Sequence, residues 1–282
     1  MSSLVFFLVI MAATTHASWN FFSKKSSGNL PTLWLGIMCV NLLMLPFSIL
    51  VIIKNGFNYL GAIPIFLSAI FHSFYYITLS CSYRFGNISV AYPISRGTGV
   101  AVTALIAVFI LHDYVSILGW SGIILIVSGT IIVGLSKSMT KEDINSCLFA
   151  FLTGITIAAY SLADSRGAGL NHPVVCLNMM KITSLLLIYP FTFKKGFFQT
   201  VRENRNNLCY APLIGLGTQI TYILILYAFS LSHHASYIVA MRECSVILAS
   251  LLGFAVLKEK PTPKKIIGII MITIGLILIK LG

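Results

Sequence analysis

The chain has 282 residues, 57% of them hydrophobic and only 9% charged, with a formal net charge of +12. A water-facing domain of this size carries roughly a quarter charged residues, so a soluble fold is excluded. A nucleic-acid binder is excluded as well, because the basic residues fall in short breaks between apolar blocks and build no domain that could hold a phosphate backbone.

Breaks at Lys, Asn, Gly and Pro clusters predict apolar helices near 3–22, 32–53, 60–83, 87–111 and 117–136. A second set is predicted near 145–164, 173–193, 209–230, 234–257 and 264–281. Each is about 20 residues long, enough to cross roughly 30 Å of hydrocarbon. The first segment, apolar over residues 4–13 and followed by Thr15-His16-Ala17, lacks the positive leader of a signal peptide and is read as a membrane helix. Connections are short except for the polar stretch 194–208, and no soluble domain fits. The six cysteines are scattered singly, so neither a disulfide framework nor a zinc site is indicated; no metal and no cofactor are expected.

Residues 76–135 lie on 222–281 at a constant offset of 146 without a gap. Tyr76-Ile77 falls on Tyr222-Ile223, Arg96 on Arg242, Gly122 on Gly268 and Gly129 on Gly275. Apolar identities count for little, but Arg is rare inside a membrane, so the paired arginines carry weight. A weaker echo links Trp19 with Tyr160 and Lys25 with Arg166 at an offset of 141. The expected architecture is therefore an all-α integral membrane protein with ten transmembrane helices. Its halves, 1–140 and 141–282, hold five helices each. An odd number per half turns the second upside down, giving two inverted repeats around a central cavity.

Lys24, Lys25, Arg84, Lys137, Lys141, Lys194, Lys195, Arg202, Arg205, Lys258, Lys260, Lys264 and Lys265 fall in odd-numbered connections. Only Lys54, Arg166 and Lys280 fall in the even-numbered ones and at the termini. The positive-inside rule then puts both termini outside the cytoplasm. The expected location is the cell inner membrane.

Arg96 lies nine residues beyond Asn87, about 13 Å into a ~30 Å slab. Arg242 and Glu243 are predicted at a similar depth, and Lys181 near the middle of the seventh helix. A charge there costs at least ~2.5–3.5 kcal/mol unless it faces protein or a watery cavity. Three cations against one anion suit an anionic group such as a carboxylate or phosphate. Glu243 then either receives an amine, carries a coupling proton, or simply pairs with a cation on a neighbouring helix. Trp19, Asn20, Tyr76, Tyr92, Tyr222 and Tyr237 are candidates for the wall of the substrate site, against the plainer reading of interfacial belt and packing. His16 and His72 are further candidates for proton coupling, or else packing histidines. Asp164 is read as a helix-end residue that caps or pairs with Arg166, and His233-His234 as solvated. Pro93 predicts a kink beside Arg96.

HASWN at 16–20, AYPISRGTG at 91–99 and AAYSLADSRGAG at 158–169, with His112-Asp113 and Lys258-Glu259-Lys260-Pro261 at helix ends, resemble the drug/metabolite transporter superfamily in its EamA-type ten-helix form. The resemblance spans essentially the whole chain. It implies a basket of helices lined by the first, third, fourth, sixth, eighth and ninth, with the fifth and tenth at the rim and Lys181 on a more peripheral helix. Many relatives are drawn with both termini in the cytoplasm, the reverse of what the charge count implies here.

The expected function is secondary transport of a small polar or amphipathic metabolite by alternating access. The cargo would be an amino acid or another small anion or zwitterion, driven by protons or by the substrate gradient alone. No phosphate-binding GxxxxGK[ST] loop occurs, so no ATPase is built in. The alternatives are a channel, which would favour rings of like residues, and a membrane-embedded enzyme, which would need clustered carboxylates, metal ligands or an activated nucleophile. The partners expected are a small-molecule substrate and the lipid bilayer, no nucleic acid, and either a monomer or a homodimer.

Overall fold

The structure, a computed structural model, describes residues 3–85, 88–110, 112, 114–134, 141–232, 235–248 and 262–281. Among these residues every regular element is helical: α1 (Ser3–Lys25), α2 (Leu30–Asn55), α3 (Ala62–Phe85), α4 (Ile88–Phe109), α5 (Ile117–Gly134) and α6 (Lys141–Gly167). There follow α7 (Pro173–Thr192), α8 (Phe197–Glu203), α9 (Ala211–Leu231), α10 (Ala235–Met241) and α11 (Pro263–Leu281). Short 3₁₀ turns at Tyr59–Gly61 and Arg205–Tyr210 lead into α3 and α9. Among the described residues seven helices, α1, α2, α3, α4, α6, α7 and α9, are long and apolar enough to cross a membrane.

Two expectations change at this level. The polar stretch 194–208 is not a bare connection, because it folds into α8 and a 3₁₀ turn. The helix predicted near 234–257 is broken: α10 stops at Met241, Arg242 and Glu243 form a turn, and helix resumes over residues 244–248. The chain bends there through i to i−3 hydrogen bonds, Glu243 N–H to Ala240 O (3.0 Å) and Ser245 N–H to Arg242 O (3.1 Å). In contrast, α4 runs as helix straight through Pro93. His233-His234, Asp113 and Lys258–Pro261 lie outside the described residues.

Local sequence sets the helix ends. Asn29 caps α2 by accepting from Thr32 N–H (2.9 Å), with Pro31 in the first turn, and Gly56 ends the helix at φ 74°. His172 caps α7 through Nδ1, which accepts from Val174 N–H (3.3 Å), with Pro173 following. On the surface the residue distribution is inverted relative to a water-soluble protein. Leu43 and Ile117 are 80% and 87% exposed, while His16, Asn20, Lys181 and Arg242 are buried. With lipid as the solvent, polar side chains gain only by facing one another.

Helix packing follows from this. α1 lies on α9 as α3 lies on α6, α2 and α7 pack together and on α9 and α3 respectively, and α10 rests on α4. α5 and α11 pack tightly on one another through glycines. A Cβ on Gly122 or Gly275 would lie 2.7 Å from the other residue's carbonyl oxygen, and the same holds for Gly129 and Gly268. Only glycine allows that approach. Outside the bundle core, Lys195 bonds both oxygens of exposed Glu203 (3.2 Å each). The Gln199 amide and then Lys195 hold that carboxyl below its ordinary value.

Candidate functional site

Helices from both halves of the chain converge on a buried cavity of about 20 Å³. α1 contributes His16 and Trp19, α3 contributes His72, Tyr75 and Tyr76, and α6 contributes Tyr160. Lys181 of α7, Thr218, Thr221 and Tyr222 of α9, and Arg242 in the turn after α10 complete the wall. A cavity holds one water at about 10–15 Å³, so the helices are closed around a space smaller than any metabolite.

Aromatic contacts hold the wall together. His72 stacks on Tyr160 with centroids 4.0 Å apart and meets Tyr222 edge-on at 4.9 Å. His16 meets Trp19 edge-on at 5.1 Å. These residues recur at helical spacing on the inner faces of α1, α3, α6 and α9, which is why they meet only once the bundle is assembled.

Polar atoms in the wall share one character. Lys181 Nζ donates to Gln219 Oε1 (3.1 Å), which leaves an ammonium with two further N–H groups. Arg242 Nη2 makes a long contact with the Tyr160 hydroxyl (3.5 Å), and its Nη1 has no partner. Trp19 Nε1 also has none. Arg242 Nη1 and Trp19 Nε1 are both donors, and among the described residues no Asp or Glu side chain lines the cavity.

The structure sorts the sequence-derived candidates. Trp19, Tyr76, Tyr222, Arg242, His16 and His72 come together at the cavity. Asn20 sits behind the wall, donating to His16 O (2.9 Å) and accepting from the Tyr83 hydroxyl (2.8 Å). Tyr92 bonds Ser245 (2.8 Å), and the Tyr237 hydroxyl meets Ser116 N–H (3.1 Å) against Gly119. Arg96 and Glu243 form a buried ion pair, Nη2 to Oε1 at 2.8 Å, with side chains 2% and 1% exposed.

Other placements revise the sequence reading. Lys181 is in the wall although the resemblance put it on a peripheral helix. Asp164 neither caps nor pairs with Arg166; it is buried on the inner side of α6, and its Oδ2 accepts the Tyr222 hydroxyl. Tyr75, Tyr160, Thr218 and Thr221 are wall residues that sequence reasoning missed. Tyr160 alone had a signal, as the repeat partner of Trp19.

A helical bundle with an apolar exterior and a polar, aromatic cavity within it is the build of a multi-pass membrane protein. Residues 144–281 match the model of the EamA-like transporter family. The chain is also 22% identical over 266 residues to the Listeria innocua protein named "Putative sugar uptake protein lin0444", covering 86% of this chain and 87% of that one. In fold it matches a protein of known crystal structure at a TM-score of 0.69 and 14% identity, over 100% of this chain and 99% of that one.

Proposed function

We propose that the chain is a secondary transporter that moves a small polar or amphipathic metabolite across the inner membrane by alternating access. On this reading it has ten membrane helices in two inverted halves, residues 1–140 and 141–282, with both termini outside the cytoplasm. The reciprocal glycine contacts support the inversion, because the offset of 146 exchanges Gly122 with Gly268 and Gly129 with Gly275, converting each contact into the other. The pairing of α1 on α9 with α3 on α6 supports it in the same way.

The observation that carries the proposal is the set of unfilled donors on Lys181, Arg242 and Trp19 in a closed cavity with no carboxylate in its wall among the described residues. Such a wall favours an acceptor-rich cargo, a small anion or a zwitterion such as an amino acid. Its small volume implies that the helices must part to load cargo, as alternating access requires. A sugar is the second reading, favoured by the ring faces of Trp19, Tyr160 and Tyr222 and by the name of the Listeria innocua relative.

A thermal-shift screen of purified protein in detergent with amino acids, small carboxylates, glucose and quaternary amines separates these. Binding to the native state raises stability with ligand concentration. Stabilisation by carboxylates or amino acids, lost in Lys181→Gln, is expected. Stabilisation by glucose alone would favour the sugar reading, and stabilisation by amines alone would sink both.

A further inference from the structure

We infer that Gln219 sets the charge selectivity of the cavity: it holds the Lys181 ammonium with a neutral acceptor, which fixes the group's position and leaves its charge to the cargo. The inference deepens the transporter reading above and rests on it. Among the described residues three Lys and Arg side chains are buried, and each meets a different kind of acceptor. Arg96 meets a carboxylate, Glu243 Oε1, at 2.8 Å. Arg242 meets the phenol of Tyr160 at 3.5 Å. Lys181 meets an amide, Gln219 Oε1, at 3.1 Å. Only the first contact cancels a charge, since an amide oxygen accepts a hydrogen bond and brings no charge of its own.

Helix geometry puts the amide beside the cavity and not in it. On α9, Thr218 and Tyr222 lie four apart and, with Thr221, line the cavity. Gln219 follows Thr218 by one position, so it points about 100° round the helix, toward Lys181 on α7. Lys181 is part of the wall and Gln219 is not. Gln219 therefore grips the ammonium from the flank, and the two N–H groups it leaves can turn to the cavity. The backbone under Lys181 is fixed as well. Ser184 Oγ donates to Lys181 O (2.9 Å), Ser73 Oγ of α3 donates to Ser184 O (3.2 Å), and Asn178 Nδ2 donates to Asn41 O of α2 (3.0 Å). With α7 tied to α2 and α3, the ammonium moves only on its flexible four-carbon stem, and Gln219 restrains that stem.

A carboxylate of the same shape at this position would reproduce the Arg96–Glu243 arrangement beside the cavity. Lys181 would keep its place but lose its positive excess, and a cargo anion would meet a carboxylate just behind the ammonium. An amide there admits acceptor-rich cargo, whereas a carboxylate would repel it and favour a neutral or cationic one. Gln219 touches no cargo on this account and is a positioning residue.

Two substitutions of nearly equal volume separate selectivity from packing. Affinities are read in detergent from the concentration dependence of thermal stabilisation by L-glutamate, propionate, glucose and choline. Gln219→Glu should weaken both anions about 10- to 150-fold, the scale of one charged hydrogen bond, without weakening glucose or choline. Gln219→Met keeps the Lys181 charge and loses only its restraint. The anions should then weaken about 2- to 10-fold, the cost of ordering one flexible side chain. Ligand-free stability should rank the other way, with Gln219→Glu at or above Gln219→Met. A purely structural contact would make affinity follow stability, so anion binding that is weaker in Gln219→Met than in Gln219→Glu overturns the role. Unchanged anion affinity in Gln219→Glu overturns it too, as does an equal loss for glucose, and in these cases the transporter reading stands. If Gln219→Met does not fold, the anion-against-glucose comparison in Gln219→Glu decides alone. If neither anion stabilises the wild type, the anionic-cargo reading falls and the role of Gln219 falls with it.

Discussion

Arg96 and Arg242 stand 146 residues apart at matching positions of the repeat, and the bundle gives them opposite surroundings. Arg96 projects from an unbroken α4 and meets Glu243 in a dry ion pair. Arg242 sits in the turn where the second-half helix breaks, faces the cavity, and keeps one terminal nitrogen without a partner. Glu243 makes the difference. The first half has a glycine, Gly97, where the second half has that carboxylate. That anion pairs with one terminal nitrogen of Arg96, whose Nε and Nη1 keep no hydrogen-bond partner, while its own neighbour Arg242 faces the cavity. Related sequences thus yield one ion-paired cation and one cavity-facing cation.

That contrast can be broken, most severely at the ion pair. Glu243→Gln strands Arg96 as a buried unpaired charge and should cost about 3–5 kcal/mol, read from denaturation in detergent. Replacing Arg96 and Glu243 together with leucine should recover most of the loss, because an apolar pair leaves no charge behind. A single substitution that costs no more than the double one would show that the pair is not what holds Arg96.

Arg242→Gln should leave unfolding nearly unchanged and weaken binding of an anionic ligand about 10- to 150-fold, the equivalent of one charged hydrogen bond. A stability loss as large as that of Glu243→Gln, with affinity intact, would make the two arginines alike after all. The inter-half contact provides a scale for comparison. In Gly268→Ala the new methyl group would meet Val133 Cγ2 at 2.6 Å and Gly129 O at 2.7 Å, for an overpacking cost of about 1–3 kcal/mol. Ligand affinity should not respond, since α11 gives nothing to the cavity wall.

The smallest effect belongs to the exposed pair. The Glu203 carboxyl is held below its ordinary value, so its contribution is present above the unfolded value and lost as pH falls through the lowered one. Because both side chains are exposed, Glu203→Gln should not shift the melting temperature measurably at neutral pH or in added salt. A measurable shift would mean that α8 is anchored more firmly than its solvent contact implies. The same chemistry, one carboxylate and one cation, then spans the full range of effect through burial alone.

Much of the fold is legible as a linear pattern. Apolar blocks about 20 residues long place α1 to α7 and α9 within a few residues, because hydrocarbon thickness sets helix length. Asn29, Pro31, His172 and Pro173 mark helix starts by chemistry that needs no tertiary contact. The break at Arg242-Glu243 gives no comparable signal, since no proline or glycine marks it.

Residue type alone also determined which side chains were costly to bury, and so that Arg96, Arg242, Glu243 and Lys181 needed partners or a cavity. Which of them received a partner was decided only by the tertiary structure. Adjacent residues on a helix diverge by about 100°, and a shift of one position decides whether a side chain meets a neighbouring helix or open space. Asp164 shows the same limit. In the sequence it is a polar residue two positions from Arg166 at a helix end; in the bundle it is the buried acceptor of Tyr222, 58 residues away. A linear pattern records cost and period, whereas the identity of a partner depends on how the helices cross.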